Sequence, residues 1–420
     1  MAGLAASIFL ARAGRTVTIF EKRRYLGGRA VTHLRHGFRF NLGPHAFYRG
    51  GIGSQVLREL GIPVRGGRPD GNGIAFLADR EYRFPGNPLS LLITGMLSVA
   101  DKVEAVPLLL RIRYTKNFER YASLSVREWL DQRVKRERVR ETLEALIRLA
   151  TYCDEPERQS ASAALAQLRL AMRGVVYVDE GWQKIVDSLH SSAVAAGVNF
   201  VTSSRVVAIE HDGQVRGIEI GGLELEIEKD TVSVALPNPA EDEKGTRLSA
   251  ETVLLAVDPE TARELIQTPV DWPEMRPVIA SCLDVALSRL PRPKRKFAVA
   301  IDDPLYLSVH SAWAQLTPKG GALIHTARYG GGSQSELEKL LDRVQPGWRD
   351  VVVHRRFLPA MTVSNAVLPP KKGDTPIRPQ PVTPIRGLYL AGDWVGDTGI
   401  LSDASLASAR AAAKAILSEA

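Results

Sequence analysis

Three short stretches carry residue types and spacings suited to holding a phosphorylated ligand. Glu21 ends a β-branched run at residues 16–20. An acid at the end of the second strand of a dinucleotide fold accepts hydrogen bonds from a ribose hydroxyl, and Glu21 follows Gly3 at close to the spacing that this geometry requires. Lys22, beside it, belongs to the same set. Next comes Gly27-Gly28-Arg29. A glycine pair lets backbone amides approach a pyrophosphate, and an arginine there neutralises it. Near the end of the chain, Gly392-Asp393 closes a short apolar run, Leu388-Tyr389-Leu390-Ala391. Residues 403–420 are rich in alanine and leucine and read as a helix with Ser402 or Asp403 as its N-cap. The start of a helix carries about half a positive charge, and small residues such as Ala404 let a ligand approach its backbone.

The elements that must position these residues are legible in the hydrophobic pattern. A helix over 4–13, stopped by Gly14, precedes the strand that ends at Glu21. Residues 74–84 alternate as a hairpin. Between 89 and 111 apolar residues recur at helical spacing, interrupted at Asp101-Lys102, where a helix–turn–helix is expected. Basic residues follow at Arg111, Arg113 and Lys116. The stretch 89–116 reads either as an amphipathic membrane contact or as a cap helix pair packed on its own core. Ser125-Val126-Arg127-Glu128 opens further helices with a capping box. Strands are expected after residue 197 and continuing to Leu236, with a polar loop at 238–245. Residues 252–257 return as a buried strand, and Asp258-Pro259 starts a helix. Strands near 279–287, 297–301, 322–327 and 350–357 form a sheet expected to floor a cavity. The prolines at 376, 379, 381 and 384 lead back to the final motif. This pattern divides the chain into one discontinuous unit, 1–80, 174–262 and 375–420, and a second, 81–173 and 263–374.

Composition narrows the function. The chain has 420 residues, 45% hydrophobic and 24% charged, enough for two domains with sizeable cores. The net charge of +8 is spread out, without the compact basic block interleaved with aromatics that nucleic-acid binding uses. No nucleic-acid partner is expected; a basic face towards a membrane is compatible with the balance. The two cysteines, Cys153 and Cys282, and the eight histidines show neither disulfide nor metal-ligand spacing. No metal is expected, and the cysteine usage fits a reducing, cytoplasmic compartment. No apolar run reaches the length of a membrane span.

Taken in order, the helix after Gly3, Glu21, Gly27-Gly28-Arg29, residues 177–182 and Leu390-Ala391-Gly392-Asp393 resemble the FAD-dependent oxidoreductases that include phytoene desaturase-type enzymes, protoporphyrinogen oxidases and flavin amine oxidases. The resemblance implies an α/β fold, a Rossmann-like FAD-binding domain with an α+β substrate domain. It implies FAD as cofactor, a backbone contact from Val206 to the adenine, and a ribityl hydrogen bond from Asp393. The helix start near Ser402 and Ala404 would face the flavin pyrimidine edge. His45 would lie near the flavin or serve as a loop-bonded structural histidine. The reaction implied is loss of a hydride to the flavin together with a proton. An apolar, isoprenoid-type substrate is the leading expectation, from the Leu-Ala-Gly-Asp motif, the apolar helical insertion and the basic balance. A flavin amine oxidase would instead use Trp394 as an aromatic wall, with Lys294 or Lys296 approaching the ring. The third alternative is a non-catalytic flavoprotein. The sequence departs from the family in lacking the first strand and the first two glycines of Gly-x-Gly-x-x-Gly; Gly3 stands in the third position. The expectation is that Met1 is not the natural start or that the chain has been shortened, with about ten further residues reading as a strand and Gly-x-Gly.

Overall fold

The computed structural model describes residues 1–221, 225–228, 231–234, 246–373 and 375–419. The polar loop expected at 238–245 lies outside the described residues; the strands expected to continue towards Leu236 are present as the antiparallel pair Leu225–Glu228 and Thr231–Val234.

The first helix, Ala2–Arg12, forms on a run of small and aliphatic residues and ends at Ala13, with Gly14 at φ 85° making the turn. It leads into the strand Thr18–Glu21, which pairs in parallel with Asn199–Thr202. A second parallel pair is formed by Val253–Leu255 and Leu388–Leu390. Tyr389 also bridges to Val382, so the outer edge of the C-terminal strand is partly covered. The Ala2–Arg12 helix, the C-terminal helix Leu401–Ser418 and the Gln183–Ala195 helix pack together on these strands. Ile19 and Leu254, one from each pair, pack against a single apolar core with Ala5, Ile8, Leu189 and Ala412. The two pairs are thus parts of one α/β layer.

The second unit is built on a seven-stranded mixed sheet. Its strand Val278–Leu287, next to one edge strand, is buried along nearly its whole length, polar Ser281 and Asp284 included. It lies antiparallel to Ala322–Tyr329 on one side and to Val352–Ser364 on the other. Leu305–Val309, a strand absent from the sequence expectations, and Phe297–Ala300 continue the sheet. The hairpin Ile74–Leu77 and Arg80–Arg83 completes it, joined in parallel through Phe297–Ala300. The domain boundary expected at residue 80 therefore falls inside a hairpin that belongs wholly to this sheet. Helices Pro88–Ile93, Val99–Tyr114, Val126–Arg133, Glu137–Thr151 and Ala161–Ala171 form the insertion.

Local signals set several of these boundaries. Ser125 and Glu128 form the expected capping box. Asp258 caps the Pro259–Ile266 helix by accepting the Thr261 N–H at 2.9 Å. Elsewhere the break lies elsewhere than expected. Asp101 does not interrupt a helix: it is the third residue of one, in a capping box with Ser98. The interruption falls at 94–98, where the Thr94 hydroxyl donates to the Arg83 carbonyl at 2.7 Å and ties the turn to the hairpin.

Candidate active site

A cavity of about 2360 Å³ runs between the two units. Typical ligand pockets are roughly 300–1,000 Å³, so this one is large enough for an extended dinucleotide with space beyond it. Ten of the eleven expected cofactor residues line it: Gly3, Glu21, Lys22, Gly27, Gly28, Arg29, Val206, Gly392, Asp393 and Ser402. Residues that are up to 399 positions apart in the chain thus share one wall. The eleventh, Ala404, is fully buried inside the C-terminal helix and is not on that wall.

The glycine turn has the geometry its residues allow. Gly27 and Gly28 take φ 127° and 57°, in the left-handed half of backbone space. A Cβ on Gly27 would come within 3.0 Å of Val31 Cγ2, whereas nothing lies within 4 Å of one on Gly28. Gly28 leaves its backbone open to the cavity. Gly3 serves packing: a Cβ there would stand 3.1 Å from the Ala256 Cβ. Glu21 Oε1 accepts the Arg23 N–H at 3.0 Å, which holds the carboxylate at the strand end. Removing it in Glu21→Ala is expected to weaken FAD binding by about 1.5–3 kcal/mol, the usual worth of a charged hydrogen bond. Titration of apoprotein with FAD, followed by flavin fluorescence, checks this; unchanged affinity would exclude a ribose role.

Arg29 and Asp393 join three parts of the chain. Arg29 Nη2 donates to Asp393 Oδ1 at 2.8 Å and Nη1 donates to the Val363 carbonyl at 3.0 Å. The backbone N–H and Nδ2 of Asn365 also donate to the Asp393 carboxylate, at 3.0 and 2.9 Å. Burial alone would push the Asp393 pKa up, but Arg29 and Asn365 hold it below the usual carboxylate range. Behind it, Arg378 Nη1 donates to the Asp393 carbonyl at 3.1 Å. Asn365 and Arg378 gave no signal in the sequence, because neither lies in a recognisable motif.

The C-terminal helix begins at Leu401, with Ile400 as its N-cap and no side-chain cap. The cap expected from Ser402 or Asp403 is therefore not formed. Asp403 instead points to the start of the Ile52–Glu59 helix, accepting the Gly53 N–H at 3.0 Å. Burial pushes its pKa up to about 6 against the pull of that bond. The start of the C-terminal helix is consequently free of side-chain capping, and Leu401, Ser402 and Ser405 at that end line the cavity.

His45 stands on the cavity wall with its edge against Trp182, the ring centroids 4.9 Å apart. Its Nδ1 is 3.1 Å from the Gly43 carbonyl and its Nε2 3.2 Å from the Arg29 carbonyl. A neutral ring has one N–H to give, so one of these oxygens faces a lone pair. Burial nevertheless dominates and pushes the His45 pKa down to about 4. His310, stacked on Tyr177 at 3.8 Å, is likewise lowered well below its ordinary value by burial. Both groups bind a proton in the unfolded chain near pH 6.5 but not in the folded one until lower pH. Stability is therefore expected to fall as pH drops from about 6.5 towards 4, by about 3 kcal/mol for His45 alone. Asp403, whose pKa is raised, opposes this in part. Thermal melts across this pH range check the sign; a Tm that rises on acidification would contradict it.

Trp394 and the two lysines do not meet the cavity. Trp394 is fully buried, donating Nε1 to the Val257 carbonyl at 2.8 Å and packing on Trp272. Lys296 lies over Trp313, and neither it nor Lys294 lines the wall. The aromatic side chains on the wall are Tyr152, Trp182, Phe20 and Tyr389. Tyr152 ends the Glu137–Thr151 helix in a left-handed conformation, φ 61°, a position that no local pattern announces.

The residues present fit FAD. Trp182 Nε1 and Ser204 Oγ belong to wall residues, are buried, and lack a partner among the described residues. Buried polar atoms of this kind call for a ligand or water partner. With an open glycine turn, a strand-end acid, a helix N-terminus and a paired arginine, the wall offers donors for phosphates and an acceptor for a ribose. Among the described residues, no cluster of metal-ligating side chains is present.

Fold and wall together define a two-domain FAD-binding oxidoreductase. Residues 1–282 match the family described as flavin containing amine oxidoreductase, and the chain belongs to that family. It is an FAD-dependent oxidoreductase. No curated protein matches the sequence. Among solved structures, an oxidoreductase from Methanosarcina mazei is similar at 17% identity, over 99% of this chain and 98% of that one, with TM-score 0.73. A proposed protoporphyrinogen oxidase from Exiguobacterium is similar at 16% identity, over 100% and 97%, with TM-score 0.71. Cyclohexylamine oxidase from Brevibacterium oxydans matches at 14% identity, over 99% and 97%, with TM-score 0.65. At these identities the likeness defines the fold and leaves the substrate open.

Proposed function

We propose that this enzyme dehydrogenates an apolar, isoprenoid-type substrate rather than an amine. One observation carries the reading. The cavity wall towards the substrate side is lined by Leu42, Pro44, Tyr152, Met361, Val363 and Leu401 together with the uncharged polar residues Thr362 and Asn365, with His45 neutral beside them. No carboxylate stands among them; the acids of the cavity, such as Glu21, Asp258 and Asp393, lie on the cofactor side. An ammonium group brought into an apolar wall without a counter-charge would lose its hydration uncompensated. A hydrocarbon loses nothing there and gains from burial.

Bound FAD would supply the two-electron acceptance, taking a hydride while a proton leaves the substrate. The chain's residues do the rest. Arg29 and Asp393 lock the glycine turn to residues 363–365, fixing the cofactor side against the substrate side. Tyr152 and Met361, on the wall, also belong to an apolar cluster with Leu91, Met96 and Leu97 that excludes water from that end. The hydroxyl of Tyr152 has its pKa raised well above the usual value by burial, so it stays protonated and neutral.

The test is anaerobic bleaching of the oxidised flavin band in FAD-loaded protein. An acyclic isoprenoid polyene delivered in detergent is expected to bleach it, while putrescine and cyclohexylamine leave it unchanged. Bleaching by either amine, with none by the polyene, would overturn the reading in favour of an amine oxidase. A flavin inert to all three would favour a non-catalytic role.

A further inference from the structure

The helical insertion carries a face that its own core does not use. In the Val99–Tyr114 helix, Asp101, Ala105 and Ile112 turn inward and are buried. Val99, Val103, Leu110 and Tyr114 point the other way and are 79%, 70%, 48% and 73% exposed. At 3.6 residues per turn these four fall within an arc of roughly 60°, a continuous apolar stripe. The neighbouring Pro88–Ile93 helix adds Leu89 and Leu92, both more than half exposed. Scattered exposed hydrophobics are ordinary on a protein surface, but a stripe running the length of one helix, with further exposed leucines on the helix before it, marks an interaction surface.

The charges around the stripe say what kind of surface it meets. Lys102 and Arg113 flank it on one side and Arg111 on the other, with Lys116 just past the helix end. Lys102, Arg111 and Lys116 have no acidic partner among the described residues. The acids of the helix are directed away. Asp101 pairs with Arg136, and Glu104 accepts the backbone N–H groups of Lys135 and Arg136. An apolar stripe bordered by free cations, its acids turned inward, matches the interface of an anionic bilayer: apolar side chains enter the headgroup–acyl boundary while lysine and arginine meet lipid phosphates. A second copy of this chain would bring the same cations against themselves, which opposes symmetric pairing. Among the described residues no helix is long and apolar enough to cross a membrane, so the contact is one of lying on the surface.

We propose that the outer faces of the Pro88–Ile93 and Val99–Tyr114 helices dock this enzyme on an anionic lipid surface. The inner faces place the same helices over the substrate end of the cavity. Leu91, Met96 and Val106 pack in one cluster with Tyr152 and Met361, which line it. The docking claim itself does not depend on the substrate reading.

Co-sedimentation tests it, using the full chain and phosphatidylcholine vesicles with or without about one-third phosphatidylglycerol. The protein is expected to pellet with the anionic vesicles at low salt and to be released at high salt, with at least tenfold weaker binding to neutral vesicles. Val103→Asp with Leu110→Asp is expected to reduce anionic-vesicle binding at least tenfold. Lys102→Glu with Arg113→Glu, which leaves the apolar stripe intact, is expected to do the same and serves as the second variant should the first fail to fold by circular dichroism. Wild-type protein that stays in the supernatant with anionic vesicles at low salt overturns the proposal. So does binding equal in neutral and anionic vesicles, or a dimer in size-exclusion chromatography that the first variant splits while neither form binds vesicles.

Discussion

Placing a short apolar strand ending in Gly-x-Gly ahead of Met1 is expected to raise both flavin content and thermal stability. The reason lies in the two parallel strand pairs. In the pair of Thr18–Glu21 with Asn199–Thr202, the Val17 carbonyl accepts the Asn199 N–H and the Glu21 carbonyl accepts the Ser204 N–H. In the other pair, the Val253 N–H donates to the Gly387 carbonyl and the Leu255 carbonyl accepts the Ala391 N–H. Successive peptide groups of a strand point to opposite sides, so those of Thr18, Phe20 and Leu254 turn away from their partners. All three residues line the cavity. Among the described residues these two edges carry no further strand, and Gly3 lies against Ala256, one residue beyond Leu255. A segment joined to the first helix would emerge there and run through the cavity parallel to both edges, in the right-handed crossover that βαβ units adopt. Thr18, Phe20 and Leu254 are half-buried, so each backbone group that exchanges water for a strand partner is worth about 0.5–1.5 kcal/mol, and a strand pairing several would add a few kcal/mol. Its glycines would extend the phosphate cradle beside Gly28. Melting temperature and flavin-to-protein ratio, measured for the fused and present forms, decide the matter. Equal values would mean that the edges are satisfied without a strand.

Asp393→Ala is expected to cost about 3 kcal/mol of stability and most of the bound flavin. The substitution removes three hydrogen bonds to a carboxylate that is 2% exposed. Breaking one side of a buried ion pair costs about 3–5 kcal/mol. The lower end applies because the Arg29 side chain is 42% exposed and water screens what remains. Arg29 would keep only the Val363 carbonyl, releasing the glycine turn from the C-terminal motif. Asp393→Asn keeps one acceptor oxygen but sets an amide against the Asn365 donors, so it should fall between wild type and alanine. Denaturation curves and flavin content after gel filtration check both; wild-type flavin content in Asp393→Ala would show that the motif holds the fold without holding the cofactor.

The sequence by itself determined the local geometry of one wall of the cavity. Glu21, Gly27, Gly28, Gly392 and Asp393 were legible because each answers a local demand: an acid at a strand end, a positive φ, a tight turn. Local chemistry of that kind does not depend on distant partners. The Asp258 and Ser125 helix starts were legible for the same reason. What the tertiary structure decided are the choices between equivalent local options. Asp403 is as good an N-cap as any acid in sequence, yet it was drawn to the start of another helix, 350 positions away. Trp394 sits beside the last motif but turns into the core, because its indole N–H finds the Val257 carbonyl there. Asp284 pairs with His325 at 2.6 Å and with Arg356 at 2.5 Å, and no spacing connects those three. Long-range pairing also set the hairpin 74–83 into the substrate sheet, since β-register is fixed by partners brought from far along the chain. The apolar residues of 89–114 are the sharpest case. Their periodicity was evident, but a helix pattern alone does not say which face is covered, and only the packing of Asp101, Ala105 and Ile112 inward leaves Val99, Val103 and Tyr114 to solvent.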